Sequence, residues 1–367
     1  MKKTTLLLTD NDVTNLLTMS DCMKELEAVY TDMGLGKTFN APRRDSFLMS
    51  LRNDAYFSFK TMEGGSERLK VVAQRVNCDL VSHPIVDGNR RRVKISAAPG
   101  GRYVGLIFLY STKNLELLAI MNDGQLQRMR VAGTTGVGVR KLARKNSRKA
   151  ALIGSGWQAG AAALALAEAR PLTKMTVFST NRTHREEFAA ATSKRLGIDV
   201  IPVENAKEAV KDSDIVASAT NSHTPVMGHE LLEKGMHLTS VRRFEFDEPS
   251  WRKADLLYFS SPPGNKGFSH YASESWEKSQ HESDVSSEVL LEEKMYKRFK
   301  SKTFLLSDLL VGKAPGRTSE DQITMMNKNW GLGIEFAAVG KVVYELALKN
   351  NRGREIPNTQ FSQTSHP

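Results

Sequence analysis

The spacing of apolar residues changes three times along the chain, and each change predicts a different kind of element. Val13, Leu16, Leu17, Met23, Leu26, Val29, Tyr30 and Met33 recur at three- and four-residue steps, which predicts a helix or helix pair over 13–35, with Thr18-Met19-Ser20-Asp21 as break and cap. Between Phe47 and Met121 the pattern becomes short apolar runs separated by turn residues, at 55–60, 69–76, 103–110 and 115–121. Consecutive short runs of this kind predict strands of an antiparallel or mixed sheet. Asp123-Gly124 then reads as a turn. A helical stretch over 126–145 follows, whose Ala132, Gly133, Gly136 and Gly138 allow another backbone to come close.

From residue 149 the chain alternates apolar runs with helical ones. Strands are predicted at 149–153, 174–178, 199–203, 215–220, 236–241 and 254–259, and helices at 158–169, 182–196 and 205–212. Such alternation is the signature of an α/β fold with a doubly wound parallel sheet. Residues 260–300 turn polar and serine-rich, as a surface insertion would. A last helix is predicted over 334–348, followed by a polar tail, 350–367, expected to fray. No internal repeat is found.

Composition narrows the class. A chain of 367 residues with 40% hydrophobic and 25% charged residues is long enough for two cores, which excludes a disordered or fibrous chain. Its two cysteines, Cys22 and Cys78, form neither a disulfide framework nor a four-ligand zinc site, so a cytoplasmic location is expected. The apolar start, 4–8, is too short for a signal-peptide core, and no run reaches membrane-spanning length. The net charge of +11 is open to several anionic partners. Nucleic acid is not expected, because no basic run with interleaved aromatics, helix-turn-helix cue or zinc finger accompanies the charge.

Gly154-Ser155-Gly156-Trp157-Gln158-Ala159 carries the clearest chemistry. This G-x-G-x-x-A run follows an apolar strand directly and opens a helix of small residues, as a dinucleotide-binding turn requires. The glycines let the backbone approach a pyrophosphate, and the helix start offsets its charge. At the end of the next strand no acid stands where one would hold a ribose 2′-hydroxyl. Ser179, Asn181 and Arg182 stand there instead, groups suited to a 2′-phosphate, so NADP(H) is favoured and NAD(H) remains possible. His237 reads as a buried strand histidine, and His270 and His281 lack the tight spacing of metal ligands, so no metal is expected.

The stretch Met121-Asn122-Asp123-Gly124, Arg130, Leu142-Ala143-Arg144 and Ala151 to Ala159 resembles the ornithine cyclodeaminase/mu-crystallin family, which also contains alanine dehydrogenases and cyclic-imine reductases. Ala41-Pro42-Arg43-Arg44, Leu69-Lys70-Val71-Val72, Ala219-Thr220-Asn221-Ser222, Gly312-Lys313 and Gly316-Arg317-Thr318 extend the likeness over most of the chain. The resemblance implies a Rossmann domain, 131–318, inserted in a second α/β domain, 1–130 plus 319–367, that binds substrate and forms a homodimer. It implies that a substrate carboxylate is held by Arg44, Lys70 and Arg130, with Arg43 an alternative to Arg44, and Lys60 and Arg75 competing with Lys70. Thr220 and Asn221 are implied on the cofactor side.

One family feature is missing. Where ornithine cyclodeaminases carry a catalytic Asp in a glycine-rich loop, this chain reads Ser240-Val241-Arg242-Arg243-Phe244-Glu245-Phe246-Asp247, and Arg242 and Arg243 would add positive charge at the nicotinamide cleft. The expected function is therefore an NAD(P)H-dependent oxidoreductase that reduces a C=N bond next to a carboxylate, acting on a small imine or amino acid. The alternatives are a cyclodeaminase-type lyase that recycles NAD, and a mu-crystallin-like binding protein.

Overall fold

A computed structural model describes residues 4–86, 89–222, 224–242, 245–262, 268–271, 292–328 and 330–363. The β-branched and small apolar residues after position 149 form eight parallel strands. Lys149–Ile153 lies between Lys174–Phe178 and Ile215–Ser218, with Asp199–Pro202 at one edge and His237–Ser240 on the other side. Beyond His237–Ser240 come Thr324–Asn327, Leu256–Phe259 and Thr303–Leu305. Every residue of Ile215–Ser218, His237–Ser240, Leu256–Phe259 and Thr324–Asn327 is buried, as expected for strands covered on both faces.

The expected boundary after residue 318 is corrected by this topology. Thr324–Asn327 fills the middle of the parallel sheet, because an open edge beside His237–Ser240 would leave a buried ladder unpaired. The second sheet has mixed strands, led by the long hairpin Ala55–Ser66 and Val71–Ser82. Val104–Ser111 and Leu117–Asn122 extend it, and Thr4–Leu8 joins in parallel to Leu117–Asn122. The tail does not fray throughout. Arg354–Pro357 pairs antiparallel with Thr4–Leu8, which satisfies an edge that would otherwise be open. Of the predicted insertion, residues 263–267 and 272–291 lie outside the described residues. Phe268–Tyr271 pairs parallel with the strand that begins at Arg44.

The helices Gly124–Leu142 and Gly333–Lys349 link the two sheets. The second of them starts hard against the hairpin. A Cβ on Gly64 would lie 2.2 Å from the Ile334 nitrogen, and one on Gly333 would lie 2.0 Å from the Glu63 carbonyl carbon, so both positions require glycine. Helix Met19–Gly34 has the predicted Thr18 cap, whose side chain accepts from the Asp21 N–H.

Candidate active site

The glycine turn sits where the parallel strands end. Gly154 has φ +115°, and a Cβ there would lie 2.5 Å from the Ala219 carbonyl oxygen, so no other residue fits. Gly156 is the N-cap of helix Trp157–Ala169, offers no side-chain acceptor, and a Cβ on it would meet nothing within 4 Å. The first N–H groups of that helix have no partner within the helix and open onto free space, which is what a pyrophosphate needs. Arg128 lies over the exposed Trp157 ring at 5.4 Å, and the Gln158 Oε1 is buried with no protein partner.

At the next strand end, the Ser179 carbonyl accepts from Arg185 at 3.1 Å, and the Asn181 side chain caps helix Arg182–Leu196 by accepting from the His184 N–H at 2.9 Å. Arg182 is exposed and donates to Glu186 at 2.8 Å. Thr220 donates through both its N–H and its hydroxyl to Glu245 at 2.7 Å, and the Asn221 carbonyl accepts from Arg242 at 3.1 Å. Buried Glu245 also accepts from the Ser218 hydroxyl and from the N–H groups of Val241 and Arg242, and so fixes two strand-end loops together. Sequence reading gave Glu245 no role. Asp247 accepts from the Ser250 N–H and caps helix Glu248–Lys253. Arg243 lies outside the described residues, as do His281 and the side chain of His270. His237 is fully buried against the Thr324 hydroxyl, and its burial keeps it neutral, with a pKa well below the usual histidine range.

The second sheet carries polar groups on its buried face. Along Val71–Ser82 the residues facing inward are Val71, Ala73, Arg75, Asn77, Asp79 and Val81. Their register partners on Ala55–Ser66 place Met62 beside Arg75, Lys60 beside Asn77 and Ser58 beside Asp79. A polar belt therefore crosses a face that is apolar at either end. Asp79 accepts from Lys60 at 2.8 Å, from Lys94 at 2.7 Å and from Asn77 at 3.0 Å. Arg43 forms a two-bond fork to Asp45, at 2.7 Å for each bond, and Arg75 pairs with Asp123 at 2.6 Å. Burial and the nearby Arg92 push the Lys60 ammonium down to about 7, while Lys60 and Lys94 hold Asp79 well below the usual carboxylate range.

Arg130, only 3% exposed, comes from the helix that links the sheets and lies over the Phe336 ring at 4.7 Å, with Arg75 over the same ring at 5.5 Å. Arg43 lies over the Trp330 ring at 5.8 Å. Three guanidinium groups thus gather where the two sheets meet. Behind them Glu335 accepts from Arg130 and Lys328, both at 2.5 Å, from the Tyr30 hydroxyl at 2.9 Å and from the Thr134 hydroxyl at 2.7 Å. Burial alone would raise the Glu335 pKa, but the two cations keep it ionised.

Two residues implied by the resemblance sit elsewhere. Lys70 is exposed in the hairpin turn at φ +55°, about five strand residues or ~16 Å from Arg75. Arg44 is exposed because strand alternation turns it away from the face that Arg43 and Asp45 share. The alternation of Val71–Ser82 sets Arg75, Asn77 and Asp79 at buried positions of an otherwise apolar face.

The sequence matches the ornithine cyclodeaminase/mu-crystallin family over residues 3–351. The chain belongs to that family. Among ornithine cyclodeaminase/mu-crystallin proteins it is 28% identical to a Delta(1)-pyrroline-2-carboxylate reductase of Bacillus cereus, over 69% of this chain and 74% of that protein. It is 24% identical to an alanine dehydrogenase of Archaeoglobus fulgidus, over 96% of this chain and 98% of that protein. The fold is similar to that of a Delta(1)-pyrroline-2-carboxylate reductase of Thermococcus litoralis in complex with NADH and L-proline. That structure has a TM-score of 0.75 and 25% identity, and the match covers 96% of this chain and 100% of that one. The family's two-sheet α/β architecture is thus the architecture of this protein. No helix among the described residues is long and apolar enough to cross a membrane.

Proposed function

We propose that this protein is an NAD(P)H-dependent oxidoreductase that reduces a C=N bond next to a carboxylate, giving an amino acid. The observation that carries this reading is the gathering of Arg43, Arg75 and Arg130 around Trp330 and Phe336, in a chain that also carries the glycine turn. Segments that belong to the two sheets touch nearby. Arg91 bridges to Ser222 in the loop after Thr220, and Gly331 packs on the Arg130 guanidinium. Planar guanidinium forks suit a carboxylate, and their burial strengthens the interaction.

Gly154, Ser155, Gly156, Trp157, Gln158 and Ala159 would hold the dinucleotide, with the helix N–H groups on its phosphates. When bound, the nicotinamide supplies the hydride. Arg75 and Arg130 orient the substrate by its carboxylate. The buried Asn77 Oδ1, which has no donor within the protein, is suited to accept the N–H of a protonated imine. A protonated imine already carries the proton that the amine product needs, so no side-chain acid has to supply it. A cyclodeaminase needs a carboxylate for the second amine, and here Glu245 is committed to five hydrogen bonds and Asp247 to a helix cap.

NADP(H) is favoured over NAD(H), because Ser179, Asn181 and Arg182 offer a 2′-phosphate donors and one cation. A homodimer is supported by the exposed apolar residues Leu48, Phe59, Val104 and Tyr110 on the second sheet. Free Cys22 and Cys78 suit a reducing compartment such as the cytoplasm. The test is spectrophotometric. Purified protein is expected to oxidise NADPH, and NADH more slowly, in the presence of 1-pyrroline-2-carboxylate or of 2-keto acids with ammonia. Failure of every such mixture with both cofactors overturns the reading.

A further inference from the structure

The inner face of the second sheet holds more positive charge than one α-carboxylate uses. Among the described residues Arg43, Lys60, Arg75, Arg92, Lys94 and Arg130 converge there, paired to only four carboxylates, Asp45, Asp79, Asp123 and Glu335. The excess is not spread evenly. Arg43 and Arg75 each have a carboxylate of their own and Arg130 shares Glu335 with Lys328, whereas Lys60 and Lys94 share the single carboxylate of Asp79. Arg92 binds the Tyr56 hydroxyl and adds its charge to the same end. Lys60 stands opposite Asn77 itself, and the Asp79 carboxylate that it shares with Lys94 lies one two-residue strand step beyond, roughly 7 Å along the sheet.

A second, independent feature marks the same place. Ser58 is 0% exposed, stands opposite Asp79 in the register, and its hydroxyl has no protein partner. A buried hydroxyl left alone costs free energy that a bound polar group recovers. Beyond it Phe47, Tyr56 and Val81 form an apolar cap that closes the belt, while the half-exposed Lys94 leaves a way in. The belt therefore runs from Arg75 and Arg130, for the α-carboxylate, to Asn77, for the imine N–H, with Lys60 opposite it, and then to Ser58, with Arg92 and Lys94 at that end.

We infer that this last group is a subsite for a second carboxylate, so that the preferred substrates are imines of amino dicarboxylic acids rather than imines with one carboxylate. The inference rests on the imine-reductase reading above and adds the substrate class. It is tested with the full chain, NADPH and ammonia, comparing oxaloacetate and 2-oxoglutarate with pyruvate and 2-oxobutyrate. The dicarboxylates are expected to show kcat/KM about tenfold or more above the monocarboxylates, the size of one added charge-assisted contact. Arg92→Ala and Lys94→Ala are each expected to reduce that ratio about tenfold, with unchanged near-UV circular dichroism showing that the fold is kept. Equal or better use of monocarboxylates by the wild type, or a ratio unmoved in both variants, overturns the subsite. If no imine is reduced, the reductase reading fails by itself. Calorimetry then decides the subsite, because succinate and glutarate must bind about tenfold tighter than propionate and butyrate and lose that advantage in Lys94→Ala. Equal binding of the two pairs overturns it.

Discussion

In the parallel sheet the strands Ile215–Ser218, His237–Ser240 and Leu256–Phe259 are buried along their whole length, and the candidate ligand groups stand at their ends. In the second sheet the candidate ligand groups stand on the face itself, as Lys60, Arg75, Asn77 and Asp79 in the middle of long strands. The parallel sheet presents mainly backbone, through Gly154 and Gly156 and a helix start. The other sheet presents side chains whose charges must be neutralised because they are buried. A backbone site needs residues that are absent, namely side chains at the turn, whereas a side-chain site needs a partner for every charge.

The seam between the two regions is the most sensitive point. Glu335→Ala leaves Arg130 and Lys328 buried without their shared carboxylate, and is expected to cost about 3–5 kcal/mol of stability in urea unfolding. A loss below about 1 kcal/mol would mean that the seam is not held by charge. Next in size, Gly154→Ala puts a Cβ against the Ala219 carbonyl. It is expected to weaken NADPH binding by about 100-fold in a fluorescence titration, equivalent to about 2.7 kcal/mol. Dicarboxylate binding to the other sheet should survive that change, and its joint loss would show that the two regions are not separable.

The third test sets the two sources of the site residues against each other. Arg75→Ala is expected to lower kcat/KM by about 30- to 100-fold, the worth of a charged hydrogen bond of about 2–3 kcal/mol. Lys70→Ala and Arg44→Ala should stay within about twofold, because both side chains are exposed. The opposite ranking would restore the residues implied by the family resemblance. A smaller effect is expected from Arg182→Ala, which should reduce the preference for NADPH over NADH about fivefold, read as the ratio of the two kcat/KM values.

The smallest effect is a pH dependence. Lys60 faces Arg43, Arg92, Asp45 and Asp79, and with a pKa of about 7 it is charged below that pH and neutral above it. KM for a dicarboxylate imine is therefore expected to rise a few-fold from about pH 6 to about pH 8, and Lys60→Met should flatten the profile. A KM that falls over this range would assign the proton elsewhere.

The glycine turn and its alternating strands were legible because a dinucleotide turn depends on local backbone geometry, and neighbouring residues encode local geometry. Even so, strand Thr324–Asn327 escaped, since its place in the sheet is set by His237–Ser240 and Leu256–Phe259, both far back in the chain. The proposed carboxylate site was legible only in kind. Resemblance pointed to Lys70 and Arg44, whereas five residues of register and one step of strand alternation separate them from Arg75 and Arg43. Both are long-range properties, because the facing strand and the turn length fix which side chains point inward.

By itself, then, the sequence determined a parallel α/β sheet with a dinucleotide turn, and an excess of positive charge with an address near Arg130. Only the tertiary structure decided which cations share the site, that Glu335 ties the two sheets together, and that two lysines share one buried aspartate. The physical reason is that backbone conformation is written in adjacent residues, while the energy of a buried charge depends on partners that folding brings from far along the chain.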